Sequence, residues 1–185
     1  MRCDVIVFVR QELYFYNTHA RTHTHTNTLD HLYFVSAALL FPSTFVMLSS
    51  IEIDKIMRND PFTSRIYAGT VALDELPVMN NTSNGPLLYI VNTDPAHLPG
   101  THWFAVYISS TTAAAAAAPE SKKSLNEHFD SAGQQPIERI NNILLLNGPN
   151  YMYNSQRVQS YSSETCGYFC IMYAYYRGLI KYFLI

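Results

Sequence analysis

The chain has 185 residues, 48% of them hydrophobic and 14% aromatic, which is one domain's worth of length with apolar residues enough for a buried core. That composition excludes a wholly disordered chain, and a formal net charge of −2 excludes the basic excess of a protein whose main partner is nucleic acid. Three cysteines at irregular positions exclude a disulfide scaffold and fit a reducing compartment, so the protein is expected inside the cell, in nucleus or cytoplasm, and not secreted.

The first 46 residues differ in character from the rest. The stretch Thr22-His23-Thr24-His25-Thr26-Asn27-Thr28 is low in complexity. Alternation would put His23 and His25 on one face of a strand, as a metal site needs. A translated CA dinucleotide repeat gives the same Thr-His alternation, and the segment is read as spurious, untranslated sequence. The run from Leu32 to Leu48 is apolar but interrupted by Ser36, Pro42, Ser43 and Thr44. A spanning helix needs about 20 predominantly apolar residues. The run also lies far from Met1 behind a region that is not basic, so neither a membrane segment nor a signal peptide is expected.

Met47 opens a region with ordinary folding signals, and the chain is divided into a spurious head, 1–46, and a folded domain, 47–185. Ser49 and Glu52 have capping-box spacing, with Ile53, Ile56 and Met57 at helical intervals after them. This helix is expected to end at Asn59-Asp60-Pro61. A short strand is expected over Arg65–Val71 and a turn at Asp74-Glu75-Leu76-Pro77. Loops at Asn80–Pro86 and Asp94–Gly100 flank a buried strand over Leu87–Asn92, and a second strand runs from Thr101 to Ser109. Ala113–Ala118 offers nothing bulky to a core and reads as an expanded hairpin tip. His128-Phe129-Asp130 closes the next strand and Gly133 turns the chain. Ile137–Leu146 predicts an amphipathic helix ending at Asn147-Gly148-Pro149, followed by an extended segment over Tyr151–Gln159. Cys166–Arg177 predicts a long apolar helix with Gly178 as its C-cap. Strands and helices mix without strict βαβ alternation, which predicts an α+β fold with a mixed sheet packed on helices.

Within this order lies a set of groups with nucleophilic chemistry. Cys166 follows a polar loop and opens an apolar helix, where free N–H groups and the helix dipole favour a thiolate. His102 can hold the thiol proton as imidazolium and return it to a leaving amine. Asp130 can accept the other ring N–H and fix the tautomer. Gln159, seven residues before Cys166, can share a tetrahedral oxyanion with the Cys166 backbone N–H. Gly167 leaves room for a peptide chain, and Trp103 stands beside the histidine. Both are candidate substrate contacts, although Trp103 and Phe104 also suit a core. Cys170, one turn after Cys166, reads as a buried hydrophobe. With His102 it lacks obvious further ligands, so no metal and no cofactor are expected.

Gly100-Thr101-His102-Trp103, Phe129-Asp130-Ser131-Ala132-Gly133, Gln159 and Cys166-Gly167 together resemble the adenovirus-protease-like cysteine peptidases (adenain-like), relatives of the SUMO-specific and ubiquitin-like proteases. Asp74-Glu75-Leu76-Pro77 and Ile90-Val91-Asn92-Thr93-Asp94 are similar to the proteases of Polinton/Maverick elements, which are virus-like DNA transposons. The resemblance spans Ser49 to Gly178. It implies a thiol endopeptidase with a papain-like catalytic arrangement in a ubiquitin-like-protease fold, acting on polypeptides at glycine-containing sites. The viral branch matures structural precursors, whereas the other branch processes or removes ubiquitin-like modifiers. The Gln159–Cys166 interval looks more like the viral branch. The adenovirus enzyme also takes DNA and a peptide activator. From Ile51 onward nine Lys/Arg stand against eleven Asp/Glu, so charge does not support DNA here.

Three features depart from the family pattern: the alanine run stretches the interval between His102 and Asp130, the chain stops soon after Gly178, and the repeat-bearing head has no counterpart. Together they suggest a degraded or domesticated genomic copy. An inactive relic that only binds is the non-enzymatic alternative.

Overall fold

Ser49 and Glu52 start the first helix as their spacing predicts. The computed structural model describes residues 47–78, 80–83, 85–110 and 126–183, all within the unit Met47–Ile185. The expectations for 1–46 and for the alanine run lie outside the described residues. In α1 (Ser50–Asn59) the Glu52 N–H donates to Ser49 Oγ at 3.3 Å, and the Ser49 N–H donates to Glu52 Oε2 at 2.9 Å. Both bonds satisfy donors that a helix start leaves unpaired. Ile53 and Met57 are buried one turn apart, while Ile56 stays at the surface. Ser49→Ala removes the cap and is expected to cost about 1 kcal/mol, read as a small fall in Tm with no change in far-ultraviolet dichroism elsewhere in the melt.

After Asp60-Pro61 the chain makes a short 3₁₀ turn, Thr63–Arg65, capped by Asp60 Oδ1, which accepts from the N–H groups of Phe62 and Thr63 at 2.9 Å each. Arg65 therefore belongs to this turn and not to the following strand. The strands are β1 (Tyr67–Ala72), β2 (Leu87–Asn92), β3 (Trp103–Ile108), β4 (Asn126–Phe129) and β5 (Tyr151–Tyr153). They form one sheet in chain order. β1 is parallel to β2, β3 is antiparallel to both β2 and β4, and β5 is parallel to β4. A parallel neighbour needs a crossover. Between β4 and β5 that crossover carries α2 (Glu138–Leu146). Among the described residues the fold is α+β, a mixed five-stranded sheet with three α-helices.

Alternation along each strand sends side chains to opposite faces. On one face Tyr89, Val91, Phe104, Val106 and Ile108 form a core with Leu76 and with Ile140, Ile143 and Leu144 of α2. The other face carries α1 and the long helix α3 (Cys166–Phe183), where Phe129 stacks on Tyr173 at 4.8 Å and the Arg177 guanidinium lies over the Tyr107 ring. With both faces covered, the strands need no polar side, and every residue of β3 is buried. This is why two of the strand segments read as continuous apolar runs.

Two expectations need correction. Gly178 does not cap α3, which continues to Phe183. A β-carbon at Gly178 would lie 2.5 Å from the Phe62 carbonyl oxygen, so glycine lets the helix pass close to the loop after α1. The extended segment over Tyr151–Gln159 is a strand only to Tyr153. Asn154 ends it by turning its amide to Asp130, as donor to the carbonyl at 2.6 Å and as acceptor from the N–H at 2.8 Å.

Candidate functional site

Antiparallel pairing of β3 and β4 is what brings the histidine and the acid together. His102 immediately precedes β3 and Asp130 immediately follows β4. Ala105 pairs with Phe129, so the start of one strand lies beside the end of the other. His102 Nε2 meets Asp130 Oδ1 at 2.7 Å, and that oxygen also accepts from the Ala132 N–H at 2.7 Å. The Asp130 backbone is held on both sides by Asn154. The carboxylate is 5% exposed, so this contact is shielded from water and ions.

Gly133 makes the turn after Asp130 with φ +70°. A β-carbon there would come within 2.6 Å of the Arg157 amide nitrogen. Glycine is required twice over, by the left-handed backbone and by the close passage of the segment that leads to Gln159.

Cys166 is the first residue of α3, and α3 packs on β3. The thiol lies near enough to the His102 side chain for each to shift the titration of the other. Asp130 occupies Nε2, which leaves Nδ1 as the ring nitrogen open to the thiol. Burial opposes the thiolate most strongly. It is outweighed by the His102 hydrogen bond, the Trp103 backbone, the His102 charge and the Gly167 backbone, which together hold the Cys166 thiol below its ordinary value. For His102 burial again acts first and against the charge. The hydrogen bonds to Asp130 and Cys166 and the charges of both outweigh it, and its pKa is raised to about 9. Each partner stabilises the ionised form of the other, which favours the thiolate–imidazolium pair. His128, two residues before Asp130, shows the opposite case: burial pushes it down to about 4, and it stays neutral beside Phe104.

Cys170 is fully buried, and burial raises its thiol well above the usual range. One turn of helix thus separates a thiol held ready to ionise from one held neutral.

Gln159 is 9% exposed. Its Oε1 accepts from Ser131 Oγ at 2.6 Å, and its Nε2 donates to the Ser163 carbonyl at 2.6 Å. The amide therefore reaches the turn that leads into Cys166, with one N–H engaged and the other remaining. Ser131 and Asn154 are the contributors that sequence reasoning missed. Ser131 had the look of turn chemistry, and nothing local marks a hydroxyl that meets Gln159 across 28 positions.

Trp103 is buried, with its indole N–H donating to the Leu48 carbonyl at 3.0 Å. Gly167 faces the same packing: a β-carbon there would lie 3.3 Å from Leu48 and 3.4 Å from Ile53 and Trp103. Beside this contact a groove of about 560 Å³ runs past Leu48, Thr70, Asn92, Asp94, Gly100 and Trp103, with an even mixture of polar and apolar walls. Gly100 and Trp103 bring it close to His102, which itself does not line it, nor does Cys166.

Among the described residues no group of three or more His, Cys, Asp or Glu is arranged to hold a metal ion. Among them, too, no helix is long and apolar enough to cross a membrane. The arrangement can ionise a thiol, retain its proton on an adjacent imidazole and offer N–H donors at a helix start. No protein-family model matches the chain, and no match is found among curated proteins.

Proposed function

We propose that this chain is a cysteine endopeptidase, with Cys166 as nucleophile, His102 as proton carrier, Asp130 as orienting acid and Gln159 as oxyanion donor. The single observation that carries the reading is the 2.7 Å contact of His102 with the buried Asp130, beside a thiol at the first position of α3. A buried acid, an imidazole and an ionisable thiol gathered at one site are what acyl transfer to sulfur requires. The folded domain is taken as 47–185, with a papain-like arrangement in the fold of the adenovirus and ubiquitin-like proteases. Polypeptides with glycine at the cleavage site, such as structural precursors of a virus-like element, are the proposed substrates, and a reducing intracellular compartment is the proposed place of work.

In the proposed reaction the Cys166 thiolate attacks the scissile carbonyl carbon. The carbonyl π electrons move to oxygen, where the Cys166 backbone N–H and the remaining Gln159 Nε2–H receive the negative charge. Collapse of that intermediate breaks the C–N bond as His102 Nδ1 gives its proton to the leaving amine. Water then gives a proton to neutral His102 while its oxygen attacks the thioester. The acid leaves and the thiolate–imidazolium pair returns.

The test is to treat the full chain with a peptide ending in glycine that bears a thiol-reactive group. Stoichiometric labelling at Cys166, mapped by mass, is expected. Labelling at Cys170 or at neither cysteine overturns the assignment.

The charge states give a pH signature. Turnover is expected to rise as Cys166 ionises below the ordinary thiol pKa and to fall as His102 loses its proton near pH 9. Alkylation by iodoacetamide needs only the thiolate and is expected to show the acid limb without the fall above 9. The His102 contribution to stability has the matching sign. Its folded value lies above the ordinary 6.5 of histidine, so that contribution is complete below about pH 6.5 and lost as pH rises through about 9.

A further inference from the structure

We propose that Ser131 is a positioning residue for this site: its hydroxyl holds the Gln159 amide in the orientation that presents Nε2 to the turn leading into Cys166. The inference rests on the reading of Gln159 as the oxyanion donor. A glutamine amide has an acceptor at one end and donors at the other, in groups of nearly the same size. Rotation about its terminal torsion meets broad wells, so orientation comes from the partners and not from shape. At Gln159 both ends are specified. Ser131 Oγ–H donates to Oε1 at 2.6 Å, and Ser163 offers only a carbonyl to Nε2, at 2.6 Å. A reversed amide would set two acceptor oxygens against each other at Ser163.

Ser131 also holds the main chain of the same residue. Its carbonyl accepts from the N–H groups of Val158 at 2.9 Å and Gln159 at 3.0 Å. With a side chain 0% exposed, Ser131 has no water to satisfy its hydroxyl in place of Gln159. It directly follows Asp130 in the chain. The acid that orients His102 and the clamp that orients Gln159 are therefore neighbours on one rigid turn, and the two halves of the site are set relative to each other through a single peptide bond. Without the hydroxyl, Oε1 is left buried and unpaired, and the amide is tethered at one end only.

The test uses the full chain with Ser131→Ala, Gln159→Ala and the double substitution. With a peptide substrate carrying glycine at the scissile bond, Ser131→Ala is expected to lower kcat about 10- to 100-fold with KM changed by less than about threefold. Gln159→Ala is expected to lower kcat about 10²- to 10³-fold. The double variant is expected to be no slower than Gln159→Ala, because the clamp has nothing left to hold. A merely structural serine would give losses that multiply.

A second readout does not depend on cleavage. The two Nε2–H resonances of Gln159, identified by their loss in Gln159→Ala, are expected to be well separated and slow to exchange with water. In Ser131→Ala they are expected to converge and exchange faster. Unchanged resonances in Ser131→Ala, or multiplying kinetic losses, overturn the proposal. If the native chain cleaves nothing and takes no peptide label, the peptidase reading falls, and the resonances still decide whether Ser131 sets the amide. Should Ser131→Ala fail to fold, Ser131→Cys keeps most of the volume with a weaker donor, and intermediate exchange rates are expected from it.

Discussion

Cys166→Ala and His102→Ala are each expected to abolish peptide cleavage, a loss on the order of 10⁶ in kcat by comparison with the removal of other nucleophile–base pairs. Cys170→Ala is expected to keep activity within a few-fold. The two thiols differ by one helical turn and by nothing in covalent chemistry, so environment alone makes the distinction. Cys166 has His102, backbone N–H groups and the helix N-terminus around its sulfur. Cys170 lies fully buried, and burial keeps its proton on. Loss of its sulfur leaves a small void, expected to cost about 1–2 kcal/mol. The measurement is single-turnover cleavage on variants whose folding is verified by near-ultraviolet dichroism. An active Cys166→Ala beside a folded but dead Cys170→Ala would reverse the assignment.

Glu127→Gln is expected to be strongly destabilising, although it lies away from the reacting groups. Glu127 is 3% exposed and takes two partners from α3: the Tyr173 hydroxyl donates to Oε2 at 2.7 Å, and Arg177 forms an ion pair with Oε1. Arg177 also lies over the rings of Tyr107 and Tyr173. Neutralising the acid takes the Glu127 charge away from a guanidinium in a half-apolar site. Breaking one side of a buried pair costs about 3–5 kcal/mol, and the lower end applies because Arg177 retains some access to water. For a domain of this size that is roughly a 10 °C fall in Tm. Glu127→Leu combined with Arg177→Met removes both charges together and is expected to recover most of the loss, since desolvation of the pair offsets its attraction. A fall under about 2 °C for Glu127→Gln would show that water reaches the pair. The network also bears on the site, because it joins α3, which begins with Cys166, to β4, after which Asp130 follows.

What the sequence by itself determined was governed by neighbours within a few positions or by the apolar character of whole segments. The Ser49–Glu52 box closes over three residues, and its bonds form wherever that helix starts. The runs Leu87–Asn92 and Trp103–Ile108 had to be strands covered on both faces, because neither offers a polar side to water. A polar loop before Cys166 and an apolar run after it required a helix to begin there.

The tertiary structure alone decided the rest, through groups whose partners lie far along the chain. The His102–Asp130 contact depends on the β3–β4 register, and the parallel placing of β5 depends on the crossover through α2. Asn154 could end a strand anywhere; only folding sets its amide on the Asp130 backbone. Gly178 has the composition of a C-cap, yet α3 runs on through it, and the glycine answers instead to the Phe62 carbonyl that passes where a β-carbon would stand. The Gln159 amide was legible as a donor from its distance to Cys166. Which way it faces was not, because an amide carries no directional preference of its own and takes its orientation from Ser131 and Ser163, brought to it by the turn at Gly133.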